Sequence, residues 1–149
     1  MSEKHPAKFF SERDKKFLQE AIARAEENTS GEICVHLVRE FTQGEDPMEE
    51  GKKIFERLGM TVTAERNGIL FLLELNGQRL VILGDQGIHE KVPENFWQEI
   101  RDVVLQGFRQ GDFSGGLVRG IERCGEKLKA HFPHRRDDRN ELSDEVTQD

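Results

Sequence analysis

Two apolar runs held apart by three residues constrain this chain more than any other feature. "GILFLLEL", beginning at Gly68, is its most hydrophobic stretch; "RLVILG" begins at Arg79, and "NGQ" stands between them. A run so unbroken fits a strand covered on both faces. Asn-Gly between two such runs is the strongest short hairpin signal, because the primed turn needs positive φ at those positions. The chain is therefore expected to build a sheet with an antiparallel pair near its middle and helices on both sides.

The flanking segments supply those helices. Ser11 with Asp14 three residues later resembles a capping box, and Phe17, Leu18, Ala21, Ile22 and Ala25 follow at helical spacing. After the turn-rich "NTSG", the stretch "EICVHLV" reads as a strand, with Ile33, Val35 and Leu37 on one face and Cys34, His36 and Val38 on the other. Asp46 before Pro47 marks a helix start, with Met48, Ile54, Phe55 and Leu58 on its apolar side. Pro93 opens a third helix carrying Phe96, Trp97, Ile100, Val103, Val104 and Phe108, and a fourth carries Leu117, Ile121, Cys124 and Leu128. A strand–helix–strand unit makes its two strands parallel. The expected fold is a three-layer α/β/α sandwich with a small mixed β-sheet, in the order α-β-α-β-β-α-α.

At 149 residues the chain is the size of one domain. Residues 1–133 read as that domain, and the aperiodic, polar residues 134–149 as a mobile or loosely docked tail. A formal net charge of −7 and no broad basic stripe argue against nucleic acid. Cys34 and Cys124, the two cysteines, have neither disulfide nor zinc spacing, which favours a reducing compartment. "MSEKHPAKFF" has no apolar run after its charges and does not read as a secretory signal. No stretch approaches the roughly 20 apolar residues that span a bilayer. A cytoplasmic protein with no direct membrane insertion is expected.

The topology also brings distant polar residues together. If the first two strands run parallel, Glu32 and Asn67 begin them at one edge of the sheet, and the reversed third strand returns Asp85 and Gln86 to that edge. The loop "GDFSGG", with Asp112 and Ser114, precedes a helix and is placed on the same rim. Carboxylate and amide oxygens of this kind suit Ca2+ or Mg2+. Glu32, Asp85 and Asp112 are the candidate metal ligands, and Asn67 and Gln86 the candidates to orient phosphate or water. Gly84, Gly87 and Gly111 would allow close backbone approach, and helix N-termini after Gly87 and Gly111 would offer N–H groups to an anion. A plainer reading stands beside this one: Asp85 and Asp112 are equally suited to cap helices, and Glu32 to end a strand in solvent. His36 reads as a packed histidine and His89 as a surface one. Ser30 and Ser114 lack a nucleophile motif, so a hydrolase triad has no support.

"ENTSGEICVHLV", "ERNGILFLLEL", "RLVILGDQGIHEKVPENFWQEI", "GFRQGDFSGGLVRGI" and "HFP…DDRNEL" occur in an order that resembles the TPM-domain family, and within it the short, signal-free bacterial members. The resemblance runs from about Phe10 to Leu142. It implies an α/β sandwich and an acid-phosphatase-like, divalent-cation-dependent hydrolase of phosphate esters. Beside that stands a non-catalytic domain of adaptor or regulatory character, binding through the glycine-rich rim or the acidic tail. Its partner would then be a protein, membrane-associated and of the LemA type by family analogy. Ser30-Gly31-Glu32, Asn67-Gly68, Gly84 with Gly87, and Gly111-Asp112-Phe113 match the family's blocks. "KVPENFW" stands where many secreted members have Leu-Thr-Asp, and "KFFSERD" where many have Asn-Asp. Those departures count against the hydrolase and favour the adaptor.

Overall fold

In a computed structural model the chain is described at residues 11–63, 65–133 and 142–149. The opening ten residues, His134 and all of "RRDDRNEL" except Leu142 lie outside the described residues. Among the described residues five α-helices and a four-stranded sheet follow in the order α1 (Glu12–Glu26), β1 (Glu32–Val38), α2 (Pro47–Arg57), a 3-10 turn (Met60–Val62), β2 (Gly68–Glu74), β3 (Arg79–Gly84), α3 (Gln86–Lys91), α4 (Asn95–Arg109), α5 (Phe113–His131) and β4 (Thr147–Gln148).

The local signals act as read. Ser11 Oγ accepts the Asp14 N–H at 3.1 Å while Asp14 returns a bond to the Ser11 N–H at 3.0 Å, closing the capping box of α1. Asp46 caps α2 through the Met48 N–H, with Pro47 in the first turn. Phe17 departs from its expected place. Its ring is 51% exposed beneath the Arg13 guanidinium, because only Leu18, Ala21 and Ile22 of α1 face inward.

The sheet order is β3-β2-β1-β4, with β1 parallel to both β2 and β4 and β2 antiparallel to β3. All of β2 is buried, as its unbroken apolar run requires. Ile69, Phe71 and Leu73 face a large core formed with α1, α4 and α5, while Leu70 and Leu72 face a smaller one formed with α2.

Two sequence expectations change. The hairpin does not turn on Asn76 and Gly77: Glu74 pairs with Arg79 across a four-residue connection, and the positive φ (54°) falls on Gln78. Gly77 is required for a different reason, since a Cβ there would lie 2.3 Å from the Glu74 carboxylate. Residues 142–149, expected to be a mobile or loosely docked tail, return to the sheet instead. Leu142 is buried in the α2-side core, His36 and Leu37 pair with Thr147 and Gln148, and the Asp149 N–H bonds the Leu37 carbonyl at 3.0 Å. So short a strand carries no apolar periodicity because it is held by one edge and a few side chains.

Candidate functional site

Backbone pairing assembles the rim that the topology implied. The Glu32 N–H bonds the Asn67 carbonyl at 3.3 Å, and the Asp85 N–H bonds the Gly68 carbonyl at 2.9 Å. Glu32, Asn67, Asp85 and Gln86 therefore share one end of the sheet. Asp112 does not. The Phe132 carbonyl after α5 accepts the Ser30 N–H at 2.9 Å, so this helix ends at the rim. Its 19 residues then carry its N-cap, Asp112, roughly 28 Å away at the opposite pole.

Three of the four rim side chains are engaged by the protein itself. Asp85 is 6% exposed, and its carboxylate takes a bidentate contact from Arg66, Nε at 2.6 Å and Nη2 at 2.9 Å. The same carboxylate accepts the Gln86 N–H at 2.8 Å and so caps α3. Planar, paired N–H donors suit a carboxylate better than a point charge does. Arg66 reaches this position from a left-handed backbone, φ 51°. Glu32 is 3% exposed and its Oε1 accepts the Leu142 N–H at 2.6 Å. Asn67, 1% exposed, donates to Ser30 Oγ at 3.3 Å. Gln86 faces solvent.

The expected close approach of a ligand to the glycines is taken up by packing. A Cβ on Gly87 would lie 2.2 Å from the Glu65 carbonyl, and one on Gly84 would lie 2.4 Å from the Trp97 ring. Gly111 does need its positive φ, 76°, to turn α4 into α5. The anion reading of the helix starts is displaced in the same way, since Asp85 caps α3 and Asp112 caps α5 through the Gly115 N–H at 3.1 Å.

Glu32, Asp85 and Asp112 thus do not make one ligand set for Ca2+ or Mg2+. The described residues contain no group of three or more His, Cys, Asp or Glu side chains placed to hold a metal ion. Among the described residues no helix is long and apolar enough to cross a membrane.

Three features escaped the sequence. The first, Arg66, follows from hairpin register, which sets Asp85 level with Gly68 and so beside the loop residue two positions before β2. The second feature is an acidic group on the other side of β1. Burial first, then a hydrogen bond with Asp144, raises the Glu26 carboxyl to about 10, and Glu26 Oε2 accepts the Ile33 N–H at 2.8 Å. Burial, with Glu26, Glu32 and Asp144 nearby, pushes the Cys34 thiol up to about 12. The third joins His36, Thr147, Asp149 and Arg57. His36 Nδ1 lies 2.6 Å from Thr147 Oγ1, its Nε2 lies 3.1 Å from Asp149 Oδ2, and Arg57 Nη2 donates to that oxygen at 2.6 Å. Here His36 is packed, 2% exposed, as read; His89 is a surface residue beside Trp97.

The sequence pattern that describes the TPM domain matches residues 4–127. Among solved structures, the BA42 protein from the psychrophilic bacterium Bizionia argentinensis is 37% identical, with a TM-score of 0.88 over 95% of this chain and 96% of that one. The N-terminal domain of a protein from P. gingivalis is 22% identical (TM-score 0.66, covering 87% of this chain and 84% of that one). The N-terminal domain of the cg2496 protein from Corynebacterium glutamicum is 18% identical (TM-score 0.63, covering 80% and 74%). Those last two share the fold. No curated protein gives a significant match.

Proposed function

This chain belongs to the TPM-domain family, and from that premise we propose that it is a protein-binding domain of adaptor or regulatory character. One observation carries the reading: the Arg66 guanidinium occupies the Asp85 carboxylate with two bonds, where a cation-dependent hydrolase would need that carboxylate for its metal. The candidate nucleophiles fit the same view. Burial raises both cysteine thiols, and Ser30 Oγ accepts from Asn67.

The rim that remains offers a partner a small mixed surface. Val62 is 68% exposed, Gln86 faces solvent, and Arg66 lies partly exposed between them in the connecting loop. An exposed aliphatic beside an amide and a guanidinium is the composition of a modest protein contact. A membrane-associated protein of the LemA type is the partner that family analogy suggests.

The test has two arms. Calorimetric titration with the soluble part of a LemA-type protein should show binding, weakened about tenfold or more by the exposed substitutions Val62→Asp and Gln86→Arg (about 1.4 kcal/mol per tenfold). In parallel, a generic phosphate ester should release no phosphate with Ca2+ or Mg2+ present. Turnover that chelation and Asp85→Ala both abolish would replace the proposal with the hydrolase reading.

A further inference from the structure

The outer edge of β1 is seven residues long, but among the described residues it meets only two strand residues, Thr147 and Gln148. Elsewhere side chains and an irregular segment cover it. Glu26 accepts the Ile33 N–H, Leu142 lies against Glu32 through its N–H, and the Cys34 thiol approaches the Ser143 carbonyl at 3.9 Å. Of residues 142–149 only Leu142 is fully buried, and Ser143, Glu145, Gln148 and Asp149 are exposed. An edge closed by so little ladder is one that another extended chain can pair with.

The end of this edge also selects what it holds. His36 is 2% exposed on a strand, and its Nε2 lies 3.1 Å from Asp149 Oδ2 without the alignment of a hydrogen bond. It is the one buried side-chain polar atom among the described residues that lacks a hydrogen-bond partner. Beside it, Arg57 of α2 reaches the same carboxylate at 2.6 Å. An imidazole and a guanidinium converging on one oxygen make a notch for a carboxylate, and Asp149 fills it imperfectly. At the other end, Leu142 is buried in the α2-side core, beside Gly68 and Met60.

We propose that the outer edge of β1 is a strand-binding surface occupied here by residues 142–149, and that an extended protein segment with an aliphatic residue in place of Leu142 and a carboxylate in place of Asp149 binds there, parallel to β1, by displacing them. The chain's own segment is then a tethered competitor that sets the affinity for the incoming one. This site is distinct from the exposed rim around Val62 and Gln86 and does not rest on it.

The probe is a fluorescent peptide of sequence LSDEVTQD, titrated into the full chain by anisotropy. Leu142→Asp weakens docking of the chain's own segment. Because apparent affinity falls with the fraction of binding-competent molecules, each tenfold rise in opening should tighten peptide binding about tenfold. The peptide should therefore bind the Leu142→Asp chain at least tenfold more tightly than the unaltered one, with the imidazole signals of His36 shifting on binding. A peptide ending in Asn instead of Asp should lose at least tenfold. Amide exchange at Asp149 reports opening, and at Phe71 reports that the core is intact; if Leu142→Asp does not fold, Val146→Asp with Asp149→Lys serves in its place. No binding to a folded, opened chain overturns the proposal, as does binding indifferent to the peptide's final carboxylate. So does Asp149 exchange as slow as that of Phe71 in the unaltered chain, which would make β4 an integral strand. Val62→Asp leaves all these outcomes unchanged, which separates this surface from the rim.

Discussion

Gly107→Ala is the substitution for which local propensity and tertiary packing disagree most sharply. Gly107 lies inside α4, where alanine would ordinarily stabilise the helix by about 1 kcal/mol. A Cβ at that position would lie 2.4 Å from the Gly116 Cα, 2.9 Å from the Asp112 carbonyl and 3.0 Å from the Gly116 nitrogen. Ordinary contact begins near 3.4 Å, so α4 and α5 would have to separate by 1.0 Å, the difference from 2.4 Å. Overpacking costs about 1–3 kcal/mol and occasionally more. Backbone on all three sides cannot rotate away, which puts the cost here at about 3–4 kcal/mol, at the top of that range and beyond it. Subtracting the propensity gain leaves a net loss of about 2–3 kcal/mol, or a fall in Tm of about 4–12 °C for a chain of this size. Gly120→Ala is the control. Its Cβ would meet Val104 Cγ2 at 2.2 Å, closer still, but that atom is a side-chain methyl: moving it strains χ1 of a helical valine, which costs less than parting two backbones, so its loss should be smaller. Urea unfolding followed by far-UV circular dichroism measures both. A Gly107→Ala chain as stable as the unaltered one, or a Gly120→Ala chain that suffers more, would refute the reasoning.

Three further outcomes follow from buried ionisable groups. Glu26 is raised to about 10 by burial and by Asp144, so between the ordinary value of 4.5 and that point the folded chain keeps a proton the unfolded chain has lost. Stability should therefore decline as pH rises across that window, and Glu26→Gln should flatten the decline in pH-resolved urea midpoints. Glu74 is lowered, first by its hydrogen bond with Arg79, with the Phe41 N–H adding to it at 2.7 Å. Its contribution is present above the ordinary carboxylate value and lost as pH falls through the depressed one; Glu74→Gln should remove that acid sensitivity and lower the neutral-pH midpoint. Cys34, at about 12, and the fully buried Cys124 should resist iodoacetamide at pH 8 and react once unfolded; rapid labelling of the folded chain, read by mass spectrometry, would contradict their placement.

What the sequence disclosed divides along physical lines. The α1 and α2 caps, the central strand and the hairpin are encoded within a few residues of each other, so their signals were local and readable. The meeting of Glu32, Asn67, Asp85 and Gln86 followed from strand direction alone. Asp112 went astray because its position depends on helix length. Trp97 of α4 packs over Gly84 at the rim, α4 runs away from it, and the turn into α5 falls at the far pole. Arg66 carries no local signal, because its role depends on the pairing of β2 with β3, which sets a guanidinium two positions before β2 against Asp85. β4 was missed because pairing over two residues leaves no period to detect.

The two faces of the sheet are unequal. Among the described residues twenty-two buried hydrophobics form the cluster with α1, α4 and α5, and nine form the one beneath α2. Leu142 belongs to the smaller cluster and Arg57 of α2 holds Asp149, so the closing segment docks on the thinner of the two layers, with α2 as its seat. Release of that segment takes only Leu142 out of the smaller cluster, so it should precede any opening of α2 or of the larger core. Native-state exchange should find the Asp149 amide opening first, α2 after it, and the helical hairpin on the opposite side last.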